Sequence, residues 1–114
     1  MTLDDIKHRY ASAAQEHIAA TERGDHETAN RAHDVVIECL RLLRQTNDRG
    51  QRVLVELLSS PQAGVRAWVA THLLPLEPAI AVQALEELSK LPGAVGFDAE
   101  TVLKEWRKGT LEIP

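Results

Sequence analysis

Gln51–Leu74, QRVLVELLSSPQAGVRAWVATHLL, is the stretch whose reading decides the fold. Val53, Leu54, Leu57 and Leu58 recur at helical spacing and form one apolar stripe; Val65, Val69 and Leu73 form a second. Ser59, Ser60 and Pro61 interrupt the pattern, so the two helices fold back on each other. Ser60 is expected as N-cap and Pro61 as the first helical residue, where a missing N–H costs nothing. Ala67 and Ala70 lie on the back of the second helix and are small enough to admit another helix there. A hairpin of this size cannot bury its own apolar area and needs similar units beside it.

Toward the N-terminus the same pattern recurs. Thr2 is a good N-cap, with Asp4 and Asp5 in the first turn, where the helix dipole favours negative charge. Leu3, Ile6, Tyr10, Ala13, Ala14 and His17 line one side of a helix running to about Arg23, and Gly24-Asp25 supplies a C-cap glycine and the next N-cap. The second helix runs to about Gln45, with Ala29, Ala32, His33, Val36, Leu40 and Leu43 on one face and Arg41 and Arg44 in its last turns. Thr46–Gly50, TNDRG, reads as a loop.

Beyond the central hairpin, Leu74–Pro78, LPLEP, breaks the helix. A fifth helix from about Pro78 to Leu91 turns Ala81, Ala84, Leu85 and Leu88 inward, and Pro92-Gly93 ends it. Gly96 is expected to turn the chain and Asp98 to cap a short last helix carrying Ala99, Val102, Leu103 and Trp106, stopped at Gly109. The tail, Thr110–Pro114, can pack back through Leu111 and Ile113. The chain is thus expected to be one all-α domain, 1–114, of three helical hairpins at about 2–45, 51–74 and 78–108.

Composition agrees with that architecture. Hydrophobic residues make up 44% of the 114 residues but aromatics only 4%, so the core must be built from aliphatic side chains and alanine, which favours close-packed helices. Alternating strand formers and Asn-Gly or Asp-Gly hairpin signals are absent. Thirteen Lys and Arg against 17 Asp and Glu give a net charge of -4, which argues against a general nucleic-acid binder. The single Cys39 has no partner for an intrachain disulfide, which points to a reducing compartment. No stretch approaches the ~18 apolar residues of a membrane span. The expectation is a soluble, cytoplasmic protein.

The central segment resembles a HEAT repeat, carried by Leu54, Leu57 and Leu58, by Pro61 in the turn, and by Val65, Arg66, Val69 and Leu73. Trp68 stands where such repeats more often have a small residue, and the third hairpin lacks a Val-Arg pair and reads as a cap. The whole chain resembles a bacterial family of unknown function with an armadillo/HEAT-like fold, through Gly24-Asp25, Ala29-Asn30-Arg31, the central segment, and Leu103, Trp106 and Gly109. The resemblance implies a short right-handed stack of helical hairpins, no catalytic residue, and, as one role, an immunity-like inhibitor of a bacterial toxin.

Candidate chemistry is sparse. Of five histidines none forms His-Glu-x-x-His, and Cys39 lacks a Cys-x-x-Cys partner. His17 and His33 fall on facing sides of helices that reverse at Gly24, so they are the one pair that could share a metal or a ligand, although a metal site normally needs three or four ligands. Arg41, Arg44, Arg49, Arg52 and Arg66 cluster in sequence and form either an anion or acidic-partner patch or a set of separate local contacts, with Arg66 pairing an acidic residue of a neighbouring repeat. Trp106 reads as core and Trp68 as a flank residue, either core or semi-core or, if exposed, an anchor for a partner; Cys39 reads as a small buried hydrophobe.

These residues favour a non-enzymatic module that binds another protein, through Arg41, Arg44, Arg52, Arg66 and Trp68, without a cofactor, nucleic acid or membrane. An acidic protein suits steering toward a basic toxin. The alternative is a small enzyme or ligand- or metal-binding protein with its site near His17 and His33.

Overall fold

The Gly-Asp, TNDRG, SSP, LPLEP and Pro-Gly breaks all separate helices in the computed structural model, which describes residues 1–114. Six helices follow one another: α1 (Leu3–Glu22), α2 (His26–Arg44), α3 (Asp48–Leu57), α4 (Ala63–Leu73), α5 (Pro78–Leu88) and α6 (Gly93–Lys108), with no strand. None is long and apolar enough to cross a membrane.

Local chemistry sets the ends. At the start of α1 the Asp5 N–H donates to the Thr2 hydroxyl at 3.1 Å and the Thr2 N–H to the Asp5 carboxylate at 3.0 Å. That reciprocal box satisfies two otherwise orphaned donors. Gly24 takes φ +75° after α1, and the Asp25 carboxylate accepts from the Thr28 N–H at 3.1 Å to open α2.

Three boundaries differ from the sequence expectation. Helix α3 begins inside TNDRG, because Asn47 itself adopts φ 55° and completes the turn. Helix α4 begins at Ala63, and neither Ser60 nor Pro61 caps it. Ser60 is committed elsewhere: its hydroxyl accepts from the Gln62 N–H at 3.2 Å and its carbonyl from the Arg66 guanidinium at 2.7 Å. Helix α6 runs unbroken through Gly96, and Asp98 lies within it. Gly96 is required by close approach: a Cβ there would stand 1.7 Å from the Leu91 carbonyl oxygen.

The inward positions converge on one core that includes Ile6, Tyr10, Val36, Leu40, Leu54 and Leu85. Ile18, Ala20 and Cys39 are buried with them, whereas His33 faces outward. Trp106 is half-buried against the core, as are Leu111 and Ile113, and the Arg44 guanidinium binds the Pro114 carbonyl oxygen, so the tail is tied down. Helix α1 touches α2, α3, α4 and α6, so the first and third hairpins meet. In a one-dimensional stack each unit touches only its neighbours. Here the contact with α6 closes the molecule to 35 × 32 × 26 Å.

Two glycines should therefore fail differently. Gly96→Ala should lower unfolding free energy in urea by about 1–3 kcal/mol, because its methyl meets backbone. Gly24→Ala, with open space but a left-handed φ, should lower it by about 1–2 kcal/mol and leave near-ultraviolet circular dichroism unchanged.

Candidate functional site

Trp68 sits on the flank of the α4 stripe, half-buried, and three imidazoles close around it. Its ring centroid lies 5.1 Å from that of His17 on α1, 5.7 Å from His33 on α2 and 5.4 Å from His72 on α4. His17 and His33 do approach each other, at 6.3 Å between centroids. No group of three or more His, Cys, Asp or Glu side chains that could hold a metal ion is present.

The members of this cluster do different things. His72 is 1% exposed and shares a 2.7 Å hydrogen bond from Nδ1 with the Tyr10 hydroxyl. Burial first, then the nearby Arg44 and His33, lower its pKa to about 3, so the ring is neutral. Burial also pushes the Tyr10 hydroxyl well above its ordinary value. This sealed pair is a structural bond. His17 is half-buried; burial and then His33 lower its pKa, against an opposing pull from Asp98. Its Nδ1 is buried without a hydrogen-bond partner, the one such side-chain atom in the protein.

Beside Trp68 a recess of about 260 Å³ opens between helices. Helix α1 contributes His17 and Ile18, α4 contributes Ala67, Trp68 and Thr71, and α5 contributes Leu85. Helix α6 supplies the rest of the wall, with Phe97 and Asp98 at its upper end and Ala99, Thr101 and Val102 below. Phe97 is 69% exposed. Asp98 is exposed at the rim, yet partial burial raises its carboxyl while His17 pulls it partly back. It accepts no hydrogen bond and pairs with no lysine or arginine; the one side chain that acts on its charge is His17.

The arginines do not share a site. Arg41 pairs with Glu38 at 2.8 Å on its own helix, and Arg44 holds the tail. Arg66 does not pair with an acidic residue of a neighbouring hairpin; it spans its own turn to donate to the Ser60 carbonyl at 2.7 Å. Arg52 lines a shallow polar groove with Asp48, Gln51, Val55, Glu56 and Glu77. Cys39 is fully buried, and burial raises its thiol, the opposite of activation.

Sequence reasoning missed His72, Phe97 and Asp98 as site residues. His72 follows Val69 and Val65 on the same buried stripe, so its burial was readable; its Tyr10 partner, 62 residues away, was not. Nothing in the sequence distinguishes Phe97 and Asp98 from an ordinary helix entry.

No protein-family model and no curated protein matches the chain. The crystal structure of the protein RPA1889 from Rhodopseudomonas palustris CGA009 is similar over 100% of this chain and 95% of that one, with a TM-score of 0.89 and 23% sequence identity. The likeness concerns the fold alone.

The Tyr10–His72 pair makes stability depend on pH. The unfolded chain takes up the His72 proton near pH 6.5 and the folded protein only near 3, so this contribution is complete above 6.5 and is lost as pH falls toward 3. Within that window the unfolding free energy should fall by up to about 1.4 kcal/mol per pH unit from this group. Tyr10→Phe combined with His72→Leu removes donor and acceptor together and should flatten the curve between pH 6 and 4. Tyr10→Phe alone should cost about 1–3 kcal/mol at pH 7.

Proposed function

We propose that the protein is a non-enzymatic binding protein whose recognition site is the recess between α1, α4 and α6. What supports the reading is the placement of the chain's one phenylalanine. Aromatics are 4% of the sequence and the core is aliphatic, yet Phe97 stands 69% exposed at the rim of an apolar cavity. Exposed apolar surface beside a concave, mostly apolar cavity with a few polar groups, here His17, Thr71, Asp98 and Thr101, is the usual build of a ligand site. Catalysis is disfavoured by the same geometry: the Tyr10–His72 pair is sealed from solvent, and no nucleophile stands against a base in the recess.

A second reading keeps the module for another protein. Asp48, Arg52, Glu56 and Glu77 line the α3 groove, with Val55, Leu76 and Ile80 left exposed nearby in sequence, and the net charge is -4. An acidic, partly apolar surface suits a basic partner, as an immunity-like inhibitor of a toxin would need. On this reading the HEAT-like α3–α4 hairpin serves as the scaffold, with Arg52 and the acidic side chains as its contacts.

The two readings separate experimentally. In a fragment screen followed by amide NMR, binders should shift Trp68, Thr101 and Val102, and Ala67→Phe, which fills the recess, should abolish those shifts while the melting temperature holds within a few degrees. A screen at millimolar concentrations that shifts none of these residues would overturn the ligand reading. For the protein reading, Glu56→Lys with Glu77→Lys should abolish binding of a co-purified basic partner, whereas Ala67→Phe should leave it intact.

A further inference from the structure

We propose that the recess takes a small organic monocation, an ammonium group on an aromatic or short aliphatic body, with the charge beside Asp98 and the faces of Trp68 and Phe97. This rests on the ligand reading above and names the chemistry of the ligand. Among the residues lining the recess, Asp98 is the sole carboxylate and no lysine or arginine is present, so the field at the mouth is that of a single negative charge. An anion would meet that charge with nothing to offset it. A neutral molecule would cover the carboxylate further without supplying a charge to pair it.

The remaining wall fits the same chemistry. Trp68 and Phe97 both border the cavity, and indole and phenyl faces attract ammonium groups through their quadrupoles, most strongly where water is partly excluded. His17, which would oppose a cation if protonated, is kept toward its neutral form by burial and by His33, which together outweigh the opposite pull of Asp98. Ile18, Leu85 and Val102 form the inner apolar surface, enough to receive a ring or a short chain. Glu16, Asp25, Glu27, Glu38, Glu56 and Glu86 each pair with a lysine or arginine; Asp98 pairs with neither and borders an apolar cavity.

The test is titration calorimetry of the full chain with three probes of one shape: benzylamine, benzyl alcohol and benzoate. Benzyltrimethylammonium is added to enlarge the cation. The two cations should bind at least about tenfold more tightly than benzyl alcohol, and benzoate more weakly still. Asp98→Asn should weaken benzylamine roughly tenfold and leave benzyl alcohol unchanged, and Phe97→Ala should weaken both cations; circular dichroism confirms that each variant is folded. Equal binding of benzylamine and benzyl alcohol, unaffected by Asp98→Asn, would overturn the cation assignment while leaving the ligand site standing. Tighter binding of benzoate would overturn it in the same way. Silence from all four probes in calorimetry, with fragments of other shapes still shifting Trp68 in NMR, would also overturn it; silence in both experiments would remove the site itself.

Discussion

Helix α4 has no residue that faces solvent freely. All of Ala63–Leu73 is buried or half-buried, because α1, α3, α5 and α6 all press on it. A helix surrounded on every side must be apolar all round or must satisfy each polar side chain within the protein. Val65, Val69, Ala70 and Leu73 meet the first condition with no exposure. Arg66, Thr71 and His72 meet the second, through the Ser60 carbonyl, the Ala67 carbonyl and the Tyr10 hydroxyl. The hairpins are held in place by having this one helix in common, and the contact between α1 and α6 follows from their both lying against it.

The recess is the place where that enclosure is incomplete. Ala67, Ala99 and Thr101 are small, so α4 and α6 leave a gap between them that no large side chain of either helix fills. Trp68 borders the gap and also packs against the three imidazoles. The histidine cluster and the recess therefore share Trp68 and His17, through which a change in one is felt by the other. His17 belongs to both, which explains why its electrostatics depend on His33 on one side and Asp98 on the other.

This division also explains why the arginines are poor markers of a site here. Arg41, Arg66 and Arg44 are used at a helix end, a turn and the C-terminal tail, and Arg52 only lines a surface groove. Exposed pairs of this kind contribute only ~0–1 kcal/mol each, so their role is to select one geometry at a boundary. The chemistry that remains unpartnered lies on α1 and α6, in a carboxylate and an imidazole nitrogen that the helical pattern treats as incidental.

The periodicity of aliphatic residues determined the number of helices, their order and most of their inward faces, because a stripe at helical spacing has one way to be buried. Caps such as Thr2 and Asp25 were equally readable, since they act on donors two or three residues away. Glycine was ambiguous: Gly24 marks a break through its φ, whereas Gly96 marks a close backbone approach inside a helix, and the sequence offers the same letter for both. The pairing of His17 with His33 could be anticipated across one turn. The bond between Tyr10 and His72, and the meeting of His17 with Phe97 and Asp98, depend on how three hairpins close on one another. Those contacts join residues far apart in the chain, so only the tertiary structure decided them.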